Sequence, residues 1–156
     1  MSSTRSAPKK VEGDTPVHTD IIDWDGTAVP AVWPGFATEF NPGFVRNMIR
    51  LHNAGRKIII CSARLSPYDP WTSMRRDPGH VATEIQMMRA MLDNAGLTFV
   101  DIWTKEGKPG GSTYVDDKAE RYHGCARCWD KVVTKILLRA EHEAAMFPAF
   151  DQTRSG

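Results

Sequence analysis

The feature that most constrains the fold is a helix-to-strand junction that occurs twice. Phe44, Val45, Met48, Ile49 and Leu51 recur at helical spacing. The pattern stops at Asn53-Ala54-Gly55, and Lys57-Ile58-Ile59-Ile60-Cys61-Ser62 follows as a short apolar run. Val81, Ile85, Met88 and Leu92 mark a second helix face, which stops at Asn94-Ala95-Gly96 before Leu97-Thr98-Phe99-Val100-Asp101-Ile102-Trp103. In each case glycine supplies the left-handed position that closes a helix, and a β-rich run begins at once. Apolar runs without alternation suit strands buried on both faces, as in a parallel sheet. Further strands are expected at Val17–Ile22 and Ser112–Val115, and a last amphipathic helix through Trp129, Val132, Val133, Ile136, Leu137 and Ala140. The alternation predicts an α/β fold: a three-layer, Rossmann-like, doubly wound and mostly parallel sheet.

The 156 residues suffice for one domain with one substantial core. Residues 1–16 are rich in Ser, Lys and Pro and nearly devoid of apolar side chains, so they are expected to form a disordered tail. Residues 17–150 are expected to be a single catalytic domain and 151–156 a flexible C-terminal tail. The net charge of +1 offers no electrostatic argument for nucleic acid. No apolar run approaches a membrane span and no signal-peptide core is present, so a cytoplasmic protein without membrane contact is expected, in a host's cytoplasm if phage-encoded. Three cysteines, an odd count, argue against a disulfide framework and for a reducing compartment. His123, Cys125 and Cys128 are spaced to offer three zinc ligands, against the alternative of small residues packed at the start of the last helix. Met87, Met88 and Met91 are expected in the core.

In open α/β sheets, ligands bind beyond the carboxyl ends of the strands. Three expected strands end in chemically active residues: Asp23-Trp24-Asp25-Gly26-Thr27, Ser62, and Asp116-Asp117. Lys105 and Lys108 lie in the loop before the last of these strands. Carboxylates gathered with Ser and Lys are what phosphoryl transfer needs. Mg²⁺ takes oxygen ligands and relieves carboxylate repulsion. One Asp can attack phosphorus, and a second, offset acid can move the proton. Ser and Lys can hold the non-bridging oxygens. Gly26 would let the chain turn close to a phosphate, and Trp24 should point the other way, into the core.

In this respect the chain resembles the haloacid dehalogenase-like (HAD) phosphohydrolases. Asp23-Trp24-Asp25-Gly26-Thr27 is similar to their first motif and Ser62 to their second. Lys108-Pro109 resembles their third motif, and Tyr114-Val115-Asp116-Asp117 their fourth. The likeness covers about Asp20 to Ala119, in order. Trp33-Pro34, Ser62-Ala63-Arg64 and the spacing of Lys108 to Asp116 are similar to a small phage and bacterial subgroup. The resemblance implies that Asp23 is the nucleophile and a Mg²⁺ ligand, and that Asp25 is the general acid/base, its backbone carbonyl also on Mg²⁺. It implies that Ser62 and Lys108 hold the phosphoryl group, and that Asp116 or Asp117 completes the metal site. Gly26, Thr27, Ala63, Arg64 and Lys105 would contact phosphate or substrate, Thr27 by donating to the phosphate or bracing the turn, and Arg64 by reaching the substrate or bracing the site, against the alternative of a surface salt bridge. Lys108 is preferred to Lys105 for its spacing to Asp116.

Relatives of this kind choose substrates with an inserted cap domain. Here the interval from Thr27 to Pro42 is too short for a domain, so no large cap is expected. The Pro-rich interval from Arg64 to Val81 carries Tyr68, Trp71, Arg75 and Arg76, which could stack on a base and pair with phosphate, or merely cover a sheet edge. The expected substrate is a phosphomonoester, with a nucleotide or nucleic-acid end ahead of a sugar phosphate or phosphoprotein. The oligomeric state is left open. Two rivals remain: a non-catalytic binding or scaffold protein on the same fold, and a receiver-like phospho-acceptor. The latter places its acceptor Asp on a middle strand, not on the first.

Overall fold

The computed structural model describes residues 18–70, 72–119 and 124–146. They fall into two compact units that divide between Asp117 and Lys118. The first unit carries four strands: β1 (Thr19–Ile22), β2 (Lys57–Ile60), β3 (Val100–Ile102) and β4 (Thr113–Val115). They form one sheet in the order β3-β2-β1-β4, and every pairing is parallel. Helix α1 (Phe44–Asn53) links β1 to β2, and α2 (Pro78–Asn94) links β2 to β3. This α/β arrangement with an open parallel sheet is compatible with a Rossmann-like fold.

Local sequence explains the helix ends. Gly55 and Gly96 adopt φ of 77° and 76°, so both helices stop where the Asn-Ala-Gly triplets predict. Asp77 caps α2 by accepting from the Gly79 N–H at 3.0 Å, with Pro78 in the first turn, where its missing N–H costs nothing.

Register and alternation place Ile22, Ile58, Ile60 and Val100 on one face of the sheet. There they join Phe44 and Met48 of α1 and Met88 and Leu92 of α2 in a single buried cluster, with Trp24 and Val29. Trp24 is fully buried, as alternation along the strand demands, and packs edge-on against Phe40. Asp20, in β1, is buried too, and Arg56 donates to both its carboxylate oxygens at 2.6 Å.

Several expectations need correction. The run Leu97–Trp103 is mostly a tight turn, and only Val100–Ile102 pairs as strand. Only the central strands are buried as the apolar runs suggest; β4 is exposed throughout because neither α1 nor α2 packs on it as they do on β2 and β3. Met88 is in the core and Met91 packs on it, but Met87 points outward because it is one residue off the buried stripe of α2. The second unit contains α3 (Ala126–Met146), longer at both ends than predicted. Cys125 and Cys128 are disulfide-bonded to each other, contrary to the expectation from the odd cysteine count, and Cys61 is the third, free cysteine. A disulfide leaves neither sulfur as a thiolate for zinc; His123, like both expected tails, lies outside the described residues. No helix among the described residues is long and apolar enough to cross a membrane.

Candidate functional site

The register brings the candidate residues together. Ile22 is level with Ile60 on β2 and with Val115 on β4. The residues one step beyond, Asp23, Cys61 and Asp116, therefore share one row at the carboxyl edge. The ladder continues into this row: the Asp23 N–H donates to the Val115 carbonyl and the Cys61 N–H to the Ile22 carbonyl, both at 3.0 Å.

Carboxylate oxygens of Asp23, Asp116 and Asp117 lie within 4.8 Å of one another. Asp23 is half-buried, and Asp116 and Asp117 are exposed. Burial above all, then the charge of Asp116, and lastly those of Asp117 and Asp25 push the Asp23 carboxyl up to about 7, opposed only by the Trp24 backbone N–H. Three oxygen-only ligands that repel one another in this way suit a hard divalent cation such as Mg²⁺, which would supply the missing positive charge.

The loop after Asp23 is a tight turn in which the Thr27 N–H donates to the Trp24 carbonyl at 3.2 Å and the Gly26 N–H to the Val29 carbonyl at 2.8 Å. Gly26 is required at its place for two reasons. Its φ is +79°, and a Cβ there would collide with the Asp117 carboxylate. The Thr27 hydroxyl is buried with no hydrogen-bond partner among the described residues. The Thr27 carbonyl accepts from Asn41, which pins the turn to the segment leading into α1.

Asp25 stands apart from the three-carboxylate cluster. Its side chain is clamped by Arg64, with Nε to Oδ2 at 2.7 Å and Nη2 to Oδ1 at 2.8 Å. Arg64, expected to brace the site or reach the substrate, or else to form a surface salt bridge, is buried and braces Asp25, and its remaining donors are also engaged. They reach Glu84 at 3.1 Å and the carbonyls of Pro34 and Gly35, with the Trp33 ring 4.7 Å from the guanidinium carbon. Arg76, a second expected substrate contact, also points inward. It donates to the other Glu84 oxygen at 3.1 Å and lies over Trp33. Sequence reasoning missed Glu84. Its signal was an acid four residues before Met88 on the buried stripe of α2.

Ser62 follows β2 and accepts from the Arg64 N–H at 3.2 Å, capping a short helical turn over Ala63–Leu65. Lys108 lies with its ammonium 4.1 Å from the centre of the Tyr114 ring. The Cys61 thiol, raised mainly by burial, is affected in opposite senses by the charges of Lys108 and Asp23, so both stand near it. Lys105 lies further along the loop, 5.7 Å from the Trp103 ring centre. The segment from Ser66 to Asp77 folds back on itself, with Asp69 bonded to Met74 and Arg76 to Pro67 through the backbone, and Tyr68 and Arg75 exposed. Trp71 lies outside the described residues.

Comparison with protein-family models, curated proteins and solved structures finds no match. The functional argument therefore rests on this constellation alone: three carboxylates, a hydroxyl, a lysine and a clamped fourth carboxylate on one edge of a parallel sheet.

Proposed function

We propose that the chain is a capless, HAD-like, Mg²⁺-dependent phosphatase that hydrolyses a phosphomonoester through an aspartyl-phosphate on Asp23. The three-layer, doubly wound form of the fold belongs with this reading. One observation carries it. Residues far apart in the chain, Asp23 on one hand and Asp116 and Asp117 on the other, meet within 4.8 Å at the strand ends, on the same edge as Ser62.

Asp23, Asp116, Asp117 and the Asp25 carbonyl would hold Mg²⁺, whose charge offsets that of the carboxylates and the phosphate. An Asp23 oxygen attacks phosphorus. The bond from phosphorus to the ester oxygen breaks, and that oxygen takes a proton from Asp25. Water then attacks the phosphorus of the aspartyl-phosphate and gives its proton to Asp25. Inorganic phosphate leaves and Asp23 is free again. Ser62 and Lys108 bind the non-bridging oxygens, and Thr27 offers a hydroxyl with no hydrogen-bond partner among the described residues. Asp25 would first take up a proton from solvent, release at least one oxygen from Arg64 and present that proton to the leaving oxygen; the proton from the attacking water then restores it.

The test is hydrolysis of an aryl phosphate with and without Mg²⁺, wild type beside Asp23→Asn. Turnover that needs Mg²⁺ and disappears in the variant supports the reading. No turnover by folded, Mg²⁺-binding protein on a broad phosphomonoester panel overturns it in favour of a binding or scaffold role.

A further inference from the structure

A cavity of about 600 Å³ opens between the segment leaving β2 and the segment joining β3 to β4. Its lining includes Ser62 and Lys108, the residues that would hold a phosphoryl group. Beside the polar Ser66, Lys105 and Glu106, the same lining includes Leu65, Pro67, Tyr68 and Trp103. The last four side chains offer apolar and aromatic faces. Tyr68 is 54% exposed, and its ring is accessible. Trp103 is fixed in place, because its Nε1–H donates to the Gly107 carbonyl at 2.8 Å. A ring held in this way loses little freedom when something stacks on it.

We propose that this cavity takes the nucleoside part of a nucleoside monophosphate, with the base against Tyr68 and Trp103 and the phosphate at Ser62 and Lys108. The proposal rests on the phosphatase reading for the fate of the phosphate, but not for the binding of the nucleoside. The volume suits a ligand of this size. A sugar phosphate would leave the Tyr68 and Trp103 rings uncovered, whereas a base would stack on them. A polynucleotide would ask for a basic track beyond the first nucleotide. Besides Lys108 the lining sets Lys105 against Glu106, which is no continuous basic track, and the chain as a whole carries only +1. Stacking accepts any base, so the site selects for a base over none and not strongly among bases.

The experiment compares AMP with glycerol phosphate as substrates of the full chain, in wild type and Tyr68→Ala. Binding of AMP to Asp23→Asn, with and without Tyr68→Ala, is measured alongside by equilibrium dialysis. Wild type is expected to prefer AMP in kcat/KM by about tenfold or more. Tyr68→Ala is expected to raise KM for AMP about tenfold with kcat nearly unchanged, and to leave glycerol phosphate untouched. Equal use of both substrates by wild type, or equal loss on both in the variant, overturns the proposal. So does a clear preference for a phosphorylated oligonucleotide over AMP, which would favour an extended strand. If neither substrate turns over, the phosphatase reading is judged on the broader phosphomonoester panel, and dialysis decides the cavity. Saturable AMP binding that Tyr68→Ala weakens upholds it, and absence of saturable binding overturns it.

Discussion

Arg64 grips Asp25 with two parallel hydrogen bonds while Glu84 grips Arg64 from behind. Arg64 is 1% exposed and Glu84 5%, so water does not compete for the bond between them, whereas Asp25 is 22% exposed. A planar fork that meets a carboxylate at two points fixes its angle as well as its distance. The pose of Asp25 is therefore set by a helix residue that does not touch it.

Glu84→Ala strips the carboxylate from two inward-facing guanidinium groups, those of Arg64 and Arg76. Breaking a buried ionic cluster on one side costs about 3–5 kcal/mol, which urea unfolding would read as a lowered midpoint. Glu84→Gln keeps the shape and should cost less.

Gly26→Ala puts a side chain into the space of the Asp117 carboxylate at a backbone angle that disfavours it. The strain is about 1–3 kcal/mol. The displaced acid should weaken Mg²⁺ binding in calorimetry more than Gly55→Ala does, where the added Cβ meets nothing.

Asp23 gives a pH signature. Its folded carboxyl titrates at about 7 against an ordinary 3.8, so between those values the folded state holds a proton that the unfolded state has lost. Its contribution to stability is fully present below the lower value and fades as pH rises through the upper one. Metal-free Asp23→Asn should lack this part of the slope and melt higher than metal-free wild type at neutral pH, in thermal scans with chelator present.

Asp20 gives the opposite signature. The hydrogen bonds from Arg56 hold its carboxyl below the usual range despite burial. That contribution is present above the unfolded carboxyl's pKa and lost as pH falls through the folded one. Arg56→Met should lower the urea midpoint at pH 7 and flatten the loss of stability on acidification.

Lys108 and Lys105 should separate kinetically. Lys108 stands near Cys61, in the row of Asp23, whereas Lys105 lies beside Trp103. Lys108→Met is expected to lower kcat on an aryl phosphate about 100-fold or more. Lys105→Met should change it less than tenfold, in the same steady-state assay.

The element order was legible because helix period, closing glycine and apolar run coincide at both junctions. The convergence of Asp23, Ser62 and Asp116 followed from one rule about parallel sheets. What stayed hidden was pairing between side chains distant in sequence. Nothing local distinguishes an Arg64 that reaches the substrate from one folded back onto Asp25, since that depends on Glu84 reaching it from α2. The direction of Arg76 was lost for the same reason. Exposure of β4 was hidden because Thr113-Tyr114-Val115 favours a strand whether or not a helix covers it.

The cluster of three carboxylates has its members behind β1 and behind β4, with Gly26 and Asp117 packed against each other. A growing polypeptide thus makes the acidic turn early and must wait for about ninety further residues before the other two ligands exist. Any copy cut short of Asp116 keeps Asp23 and Asp25 without their counterparts. Cation binding at this spot is then a property of the finished sheet, and its appearance during synthesis or refolding would time the docking of the last strand.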